Sequence, residues 1–266
     1  MSKILTNNSR SISKRLPTSK MPAFTLYGAR GSTNTDRVRL TLAEGGFTDY
    51  DLVLLNLHKG EQKVNADHLV QERLSYTIHI ANAAATQSEE NMKRHPWGKI
   101  PAITFPSGFT LYESRAICKH LAKKYSFALL PSDSDVEAAA LFDQAQSVEM
   151  QYFAEPAGKI GFEKFVKKFM GLPTDEAVVS DALRSVNVFF DVAERLLREK
   201  EYMAGKDFSL VDIYYIPLIR RLFACGYGDV VLSRDAVSAW WNRCVDRPAI
   251  RKMLAADEEA AAAARR

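Results

Sequence analysis

The chain is poor in cysteine: three residues, Cys118, Cys225 and Cys244, odd in number and far apart. They form neither a disulfide framework nor a metal-ligand cluster, and they suit a reducing compartment. Five scattered histidines (His58, His68, His79, His95 and His120) stand at no tight Cys/His spacing, which argues against a structural metal site. No run of about 18 uncharged apolar residues exists, so no membrane-spanning helix is expected. The richest apolar stretch, 178–197, is interrupted by Asp181, Arg184, Asp191 and Glu194. Phosphate-cradling glycine loops, a nucleophile elbow, a metalloprotease helix and a kinase signature are all missing. Acidic residues are absent from the first 20 positions, which carry Lys3, Arg10, Lys14, Arg15 and Lys20. Those five cations exceed the net charge of +4 and leave the body of the chain at −1. The basic balance therefore gives no warrant for nucleic-acid binding. What is present is ordinary globular material: 266 residues, 47% of them hydrophobic, enough for one large domain or two small ones.

Two segments stand apart. Residues 1–20 are basic and serine-rich, the composition of a mitochondrial transit peptide. A plain tail, or translation that begins at Met21, accounts for them equally well. Residues 64–87, VNADHLVQERLSYTIHIANAAATQ, interrupt an otherwise compact pattern and keep no helical period. Connections longer than about 15 residues call for an explanation. One is a functional insertion. Another is a retained short intron: valine codons begin GT, a glutamine codon can end AG, and Ala81-Asn82 can be encoded with CTAAC.

The rest reads as two domains. FTLYG, Phe24 to Gly28, alternates and ends in glycine, a short strand. A cap-rich turn, Gly31 to Thr35, leads to a helix through Val38, Leu40, Leu42 and Ala43 that stops at Gly45-Gly46. Tyr50 to Leu57 is predicted as a buried strand, which completes one βαβ unit with a parallel pair. Ser88 to His95 reads as a short helix. Ile100 to Phe105 reads as a strand opened by proline, and Pro106-Ser107-Gly108 turns it into Thr110-Leu111-Tyr112. Ser114 opens a helix to about Tyr125. Strands then cease. Leu141, Ala145, Val148 and Tyr152 recur at helical spacing, as do Leu183, Val186, Phe190 and Ala193. Ser209-Leu-Val-Asp212 is a capping box. Pro217 lies inside the next helix, and Pro248 opens the last one. The expected layout is a leader at 1–20, an α/β domain at 21–126, a linker at 127–135, an all-helical domain at 136–254 and a frayed alanine-rich tail at 255–266.

Candidate chemistry sits at strand ends. Ser32 stands between the first strand and first helix, where free amides favour an anion. It could equally be only the helix cap. Ile100 precedes a proline that cannot donate to the ladder. Its own N–H and C=O would be free for an extended peptide, or Pro101 is a plain strand entry. Ser114 is a candidate N-cap whose first-turn amides could hold a carboxylate, with Glu113 beside it for an ammonium. Gln62, Lys63 and Lys99 lie near the same strand ends, and each alone reads as a solvated surface group. Cys118, on a helix interior, reads as core.

These pieces together resemble a glutathione transferase of the phi class. The resemblance rests on YGARGSTNTDRV (27–38), LHKGEQK (57–63), HPWGKIPA (95–102), LYESRAICKHLAKKY (111–125), GLPTDEAVV (171–179), YMAGKDFSLVDIYYIP (202–217) and VSAWWNRCVDRPAIRKM (237–253). It spans Met21 to Leu254 except residues 64–87. Joining Lys63 to Ser88 restores an unbroken family pattern, GEQKSEENMKRHPWGKIPA. The resemblance implies a thioredoxin-like domain followed by a helical-bundle domain, a homodimer, glutathione as co-substrate, and a small hydrophobic electrophile, with no metal or other cofactor. It implies a cytoplasmic protein, or a mitochondrial one if residues 1–20 are a transit peptide. Ser32 aligns with the catalytic serine that hydrogen-bonds the glutathione sulfur. Gln62, where histidine is common, and Lys63 match positions that hold the glycine carboxylate. Lys99 stands where glutamine is common. Ile100 supplies the backbone pair before an expected cis Pro101, and Glu113 and Ser114 match the γ-glutamyl clamp. Tyr152, Phe153, Met150 and Phe162 are candidate walls of the electrophile pocket, while any one of them alone reads rather as core packing. Organic-hydroperoxide reduction is a second activity within this class. A relative that binds glutathione without catalysis, its site impaired by residues 64–87, is the alternative.

Overall fold

The computed structural model describes residues 21–55 and 88–263. Gln62, Lys63 and the whole of 64–87 lie outside the described residues, as does the leader.

The N-terminal part is a four-stranded sheet with helices. In chain order it runs β1 (Thr25–Gly28), α1 (Thr33–Glu44), β2 (Asp51–Leu54), α2 (Glu89–Arg94), β3 (Ala102–Thr104), β4 (Thr110–Tyr112) and α3 (Ser114–Lys124). The strand order is β2-β1-β3-β4. β1 pairs parallel with β2 and antiparallel with β3, which pairs antiparallel with β4. Alternation makes β1 a strand with Leu26 and Gly28 inward. Gly28 is required by close approach, because a Cβ there would lie 2.5 Å from Thr35 Cγ2 at the start of α1. The Thr35 hydroxyl also accepts the Ala29 amide at 3.3 Å. These two contacts fix how tightly the chain turns from β1 into α1.

β2 differs from the sequence reading. It is an edge strand, with Val53 and Leu54 exposed at 41% and 51% rather than buried. Edge and central strands share one β-rich composition, so residue type alone did not separate them.

From Val136 to Met170 the chain is helical without a break, but it changes pitch. α4 (Val136–Val148) passes into a wide π-helical segment, Glu149–Ala154, then α5 (Glu155–Gly161), a second π segment, Phe162–Val166, and α6 (Lys167–Met170). α7 (Glu176–Leu197), α8 (Leu210–Ala224), α9 (Asp229–Leu232), α10 (Asp235–Val245) and α11 (Pro248–Ala263) complete the fold. The stripe Leu141, Ala145, Val148, Tyr152 is not the inward one. Leu141 and Tyr152 are exposed, whereas Phe142, Glu149 and Phe153 are buried. Beyond Val148 the π turns rotate the face further, and a 3.6-residue period does not anticipate them.

The helical core is aromatic: Phe153 lies 5.0 Å from Tyr215 and 5.1 Å from Phe189, and Tyr215 meets Trp240 edge-on at 5.5 Å. The capping box is formed. The Asp212 carboxylate accepts the Ser209 amide at 2.9 Å, and its other oxygen accepts from Trp240 Nε1 at 2.9 Å and the Met203 amide at 3.0 Å. The alanine-rich end is helical as far as Ala263 and is tied down at Asp257 and Glu258. Arg39 of α1 donates to Asp257 at 2.7 and 2.8 Å, and Arg220 donates to Glu258 at 3.1 Å. Those two acids are what the alanine count concealed.

Candidate functional site

Strand register gathers the predicted residues. Tyr27, near the end of β1, faces Ala102 at the start of β3, which faces Tyr112 at the end of β4. Ser32 follows β1, Lys99-Ile100-Pro101 precedes β3, and Glu113-Ser114 follows β4. All three groups therefore sit along one edge of the sheet. The parallel strand β2 ends on this edge too, with Gly28 opposite Leu54.

Ser32 is half-buried and is the N-cap of α1. Its Oγ accepts the Thr35 amide at 3.4 Å, a long bond. Among the described residues the Ser32 hydroxyl donates to no acceptor. Cap and donor are compatible, since a hydroxyl accepts and donates at once. The Ile100–Pro101 peptide is cis. Ile100 is buried, and among the described residues its N–H and C=O form no hydrogen bond. Lys99 is exposed, and its carbonyl accepts Asn91 Nδ2 at 3.3 Å.

At α3 the sequence reading is corrected by one residue. Glu113 occupies the cap position and buried Ser114 is the first helical residue. Among the described residues no side chain caps the helix, so its first-turn amides remain open to an anion. Glu113 holds φ 69°, ψ 111°, outside the regions that a residue with a Cβ favours. A serine entering a helix suggests a cap. The positive φ at Glu113 moves the boundary, and residue type does not reveal it.

The candidate wall residues fall in different places. Phe153 is in the core. Tyr152 and Phe162 line a groove of about 1280 Å³ made entirely of residues between Val148 and Met203, with none of the sheet-edge residues in it. Met150 is exposed and lines no described cavity. The aromatic residue tied to the Ser32 turn is instead Phe165. The Arg221 guanidinium stacks on it at 3.5 Å and donates to the Gly31 carbonyl at 2.7 Å. Phe169 meets Phe165 edge-on at 4.8 Å. The i, i+4 spacing of Phe165 and Phe169 was visible in the sequence; their link to residue 31 was not.

A charge network between the two halves also escaped the sequence reading. Glu149, fully buried, accepts from Arg115 Nε at 2.7 Å and Nη2 at 2.8 Å, and lies 3.6 Å from Arg37 Nη2. Arg37 donates from Nε to the Tyr214 carbonyl at 3.1 Å and from Nη1 to Asn34. Burial, and the neighbouring Arg115 charge, lower Arg37 to about 10 against the partial rescue of Glu149. The network joins α1, which carries Ser32, to α3, which carries Ser114. Cys118 is fully buried, and burial pushes its thiol up to about 11. It is core, as the sequence suggested.

A thioredoxin-like sheet followed by an all-helical domain is the architecture of a class of glutathione-using proteins. Family models agree on both halves: the glutathione S-transferase N-terminal domain matches residues 31–124 and the C-terminal domain residues 146–248. Glutathione S-transferase PM239X14 of Arabidopsis thaliana is 35% identical over 223 residues, 83% of this chain and 91% of that protein. Glutathione S-transferase I from maize, in complex with an atrazine–glutathione conjugate, matches with a TM-score of 0.73 and 30% identity, covering 89% of this chain and 98% of that one. Glutathione transferase F7 of Populus trichocarpa matches at 0.73 and 27%, covering 86% and 96%. The chain belongs to the glutathione S-transferase family, and its relatives are of the phi class. No helix of the described residues is long and apolar enough to cross a membrane.

Proposed function

We propose that this protein conjugates glutathione to hydrophobic electrophiles and that Ser32 holds the sulfur as thiolate. The observation that carries the reading is a half-buried hydroxyl at the start of α1, with its oxygen on the Thr35 amide and its proton uncommitted among the described residues. A free thiol, with a pKa of about 8.5, is only a few per cent thiolate at neutral pH. Lowering that value by about two units requires ~2.7 kcal/mol. One hydrogen bond to a charged acceptor contributes about 1.5–3 kcal/mol, and the helix end adds to it. The arithmetic needs no metal and no cofactor beyond glutathione as co-substrate. The open amides of α3 suit the γ-glutamyl carboxylate, Glu113 its ammonium, and the unpaired Ile100 backbone the cysteinyl peptide. Gln62, Lys63 and Lys99 would meet the glycine carboxylate. The maize relative solved with an atrazine–glutathione conjugate supports an aromatic electrophile.

The test is the absorbance of bound thiolate across pH, in the full chain and in Ser32→Ala. A bound thiol that titrates below the free value, and returns to it in Ser32→Ala, supports the reading. Binding with an unshifted thiol in both proteins would favour the non-catalytic alternative.

A homodimer is part of this proposal. Val188, Val192 and Leu196 make an exposed apolar stripe on α7, at one wall of the groove that also holds Tyr152. A contiguous apolar surface of this kind suits a second copy, and light scattering would give the mass directly. A reducing compartment suits the reduced thiols of Cys118, Cys225 and Cys244. We assign the protein to the cytoplasm, which a fusion of residues 1–20 to a fluorescent protein would contradict by targeting it to mitochondria.

A further inference from the structure

Arg221 is a cation held in place, among the described residues, without an ion pair. Its stem lies on α5, where a Cβ at Gly161 would come 2.9 Å from its Cγ. Its guanidinium covers the Phe165 ring, one turn further along the same helical run, at 3.5 Å. One Nη2 donor reaches the Gly31 carbonyl at 2.7 Å, one residue before Ser32. The neighbouring charges are otherwise occupied: Lys164 pairs with Glu176, Arg220 with Glu258, and Asp36 with Arg39. Among the described residues Arg221 makes no ion pair, and the Gly31 bond uses one of five donors.

We propose that Arg221 determines electrophile specificity by receiving a carboxylate, or a similar anionic group, on an aromatic substrate that lies against Phe165 and Phe169. The inference rests on the glutathione reading and extends it to the second substrate. A planar guanidinium presents a two-point fork to a carboxylate, and its stacking on Phe165 fixes the plane of that fork. Because Gly31 adjoins Ser32, an anion bound at this position lies on the same side of the sheet edge as the sulfur.

The test compares S-(4-carboxybenzyl)glutathione with S-benzylglutathione, which differ only in the carboxylate, by calorimetry on the full chain. The expected result is a preference of about tenfold for the carboxylated conjugate, the magnitude of one charge-assisted bond. That preference should vanish in Arg221→Met and Arg221→Gln and survive in part in Arg221→Lys. Affinity for glutathione itself should stay unchanged in all three. Binding of S-benzylglutathione with no preference in the parent protein, or a preference that persists in Arg221→Gln, would overturn the proposal and leave the glutathione reading standing. Equal loss of glutathione and both conjugates in the folded variants would show that Arg221 only braces the Gly31 turn, and would overturn it too. Failure of both conjugates to bind the parent protein would overturn both readings together.

Discussion

Arg115 grips Glu149 in a two-point fork, Nε at 2.7 Å and Nη2 at 2.8 Å, across the junction between the sheet and the helical bundle. The carboxylate is fully buried and sits where α4 passes into the first π segment. It also neutralises Arg37, 3.6 Å away on α1. One acid therefore answers for two cations, one from each helix that opens at the sheet edge of Ser32 and Ser114.

Glu149→Gln should be strongly destabilising. The amide keeps the volume but removes the charge, and it leaves the buried Arg37 and the partly buried Arg115 without their anion. Removing one partner of a buried pair costs about 3–5 kcal/mol. Urea unfolding at neutral pH should show a midpoint well below the parent's. A midpoint within error of the parent would mean that water reaches this junction and screens both arginines.

The stability of the α/β domain should fall as pH drops from 7.5 to 5.5, and His95 should account for part of that fall. Burial pulls His95 below its ordinary value of 6.5, nearby Lys99 adds to this, and Glu113 opposes it. Its ring lies 4.7 Å from Tyr112, and its Nδ1 is buried with no partner among the described residues. The unfolded chain then takes up a proton near 6.5 before the folded chain does. The contribution of His95 is thus full above that pH and declines as pH falls toward the folded value. His120 shifts in the same direction and stays in place as an internal reference. Urea midpoints of His95→Asn should depend less on pH over this range than those of the parent, and parallel curves would refute the assignment.

The legible parts of this fold were those set by local chemistry. Gly28 ending β1, Ser32 capping α1, Gly45 closing it and the Ser209–Asp212 box are contacts within a few residues, and sequence spacing reports them. The sheet-edge residues Ser32, Ile100, Pro101, Glu113 and Ser114 were legible as strand ends, and register alone then aligns them. Side chains whose roles depend on distant partners were not legible. Glu149 reads as a surface acid until Arg37 and Arg115, 112 and 34 positions away, converge on it. Arg221 and Gly31 are 190 positions apart. The burial of Phe153 rather than Tyr152 was illegible for a related reason: the chain turns π-helical there, which rotates the helix face by amounts that residue type does not encode.

Removing residues 64–87 should raise glutathione affinity. The fold on the far side of that segment begins at its boundary: Ser88 caps α2, its Oγ accepting the Asn91 amide at 3.2 Å, and the helix starts at Glu89. On the near side β2 ends at Leu54 on the same sheet edge as Ser32. With the segment deleted, Lys63 adjoins Ser88, a single trans peptide away. Gln62 and Lys63 are then tethered directly to the α2 cap, and the Asn91 side chain links that helix to the Lys99 carbonyl at 3.3 Å. Ordering a pair tethered to a formed helix costs less entropy than ordering the same pair with a long segment between them and that helix. The expected gain is about three- to tenfold in glutathione Kd by calorimetry, with the Ser32-dependent thiolate shift unchanged, since Ser32 belongs to a different strand end. Equal affinities would mean that Gln62 and Lys63 reach the glycine carboxylate with or without the segment, or take no part in binding it. A double variant, Gln62→Ala with Lys63→Ala, decides between these: it weakens binding in the first case and leaves it unchanged in the second.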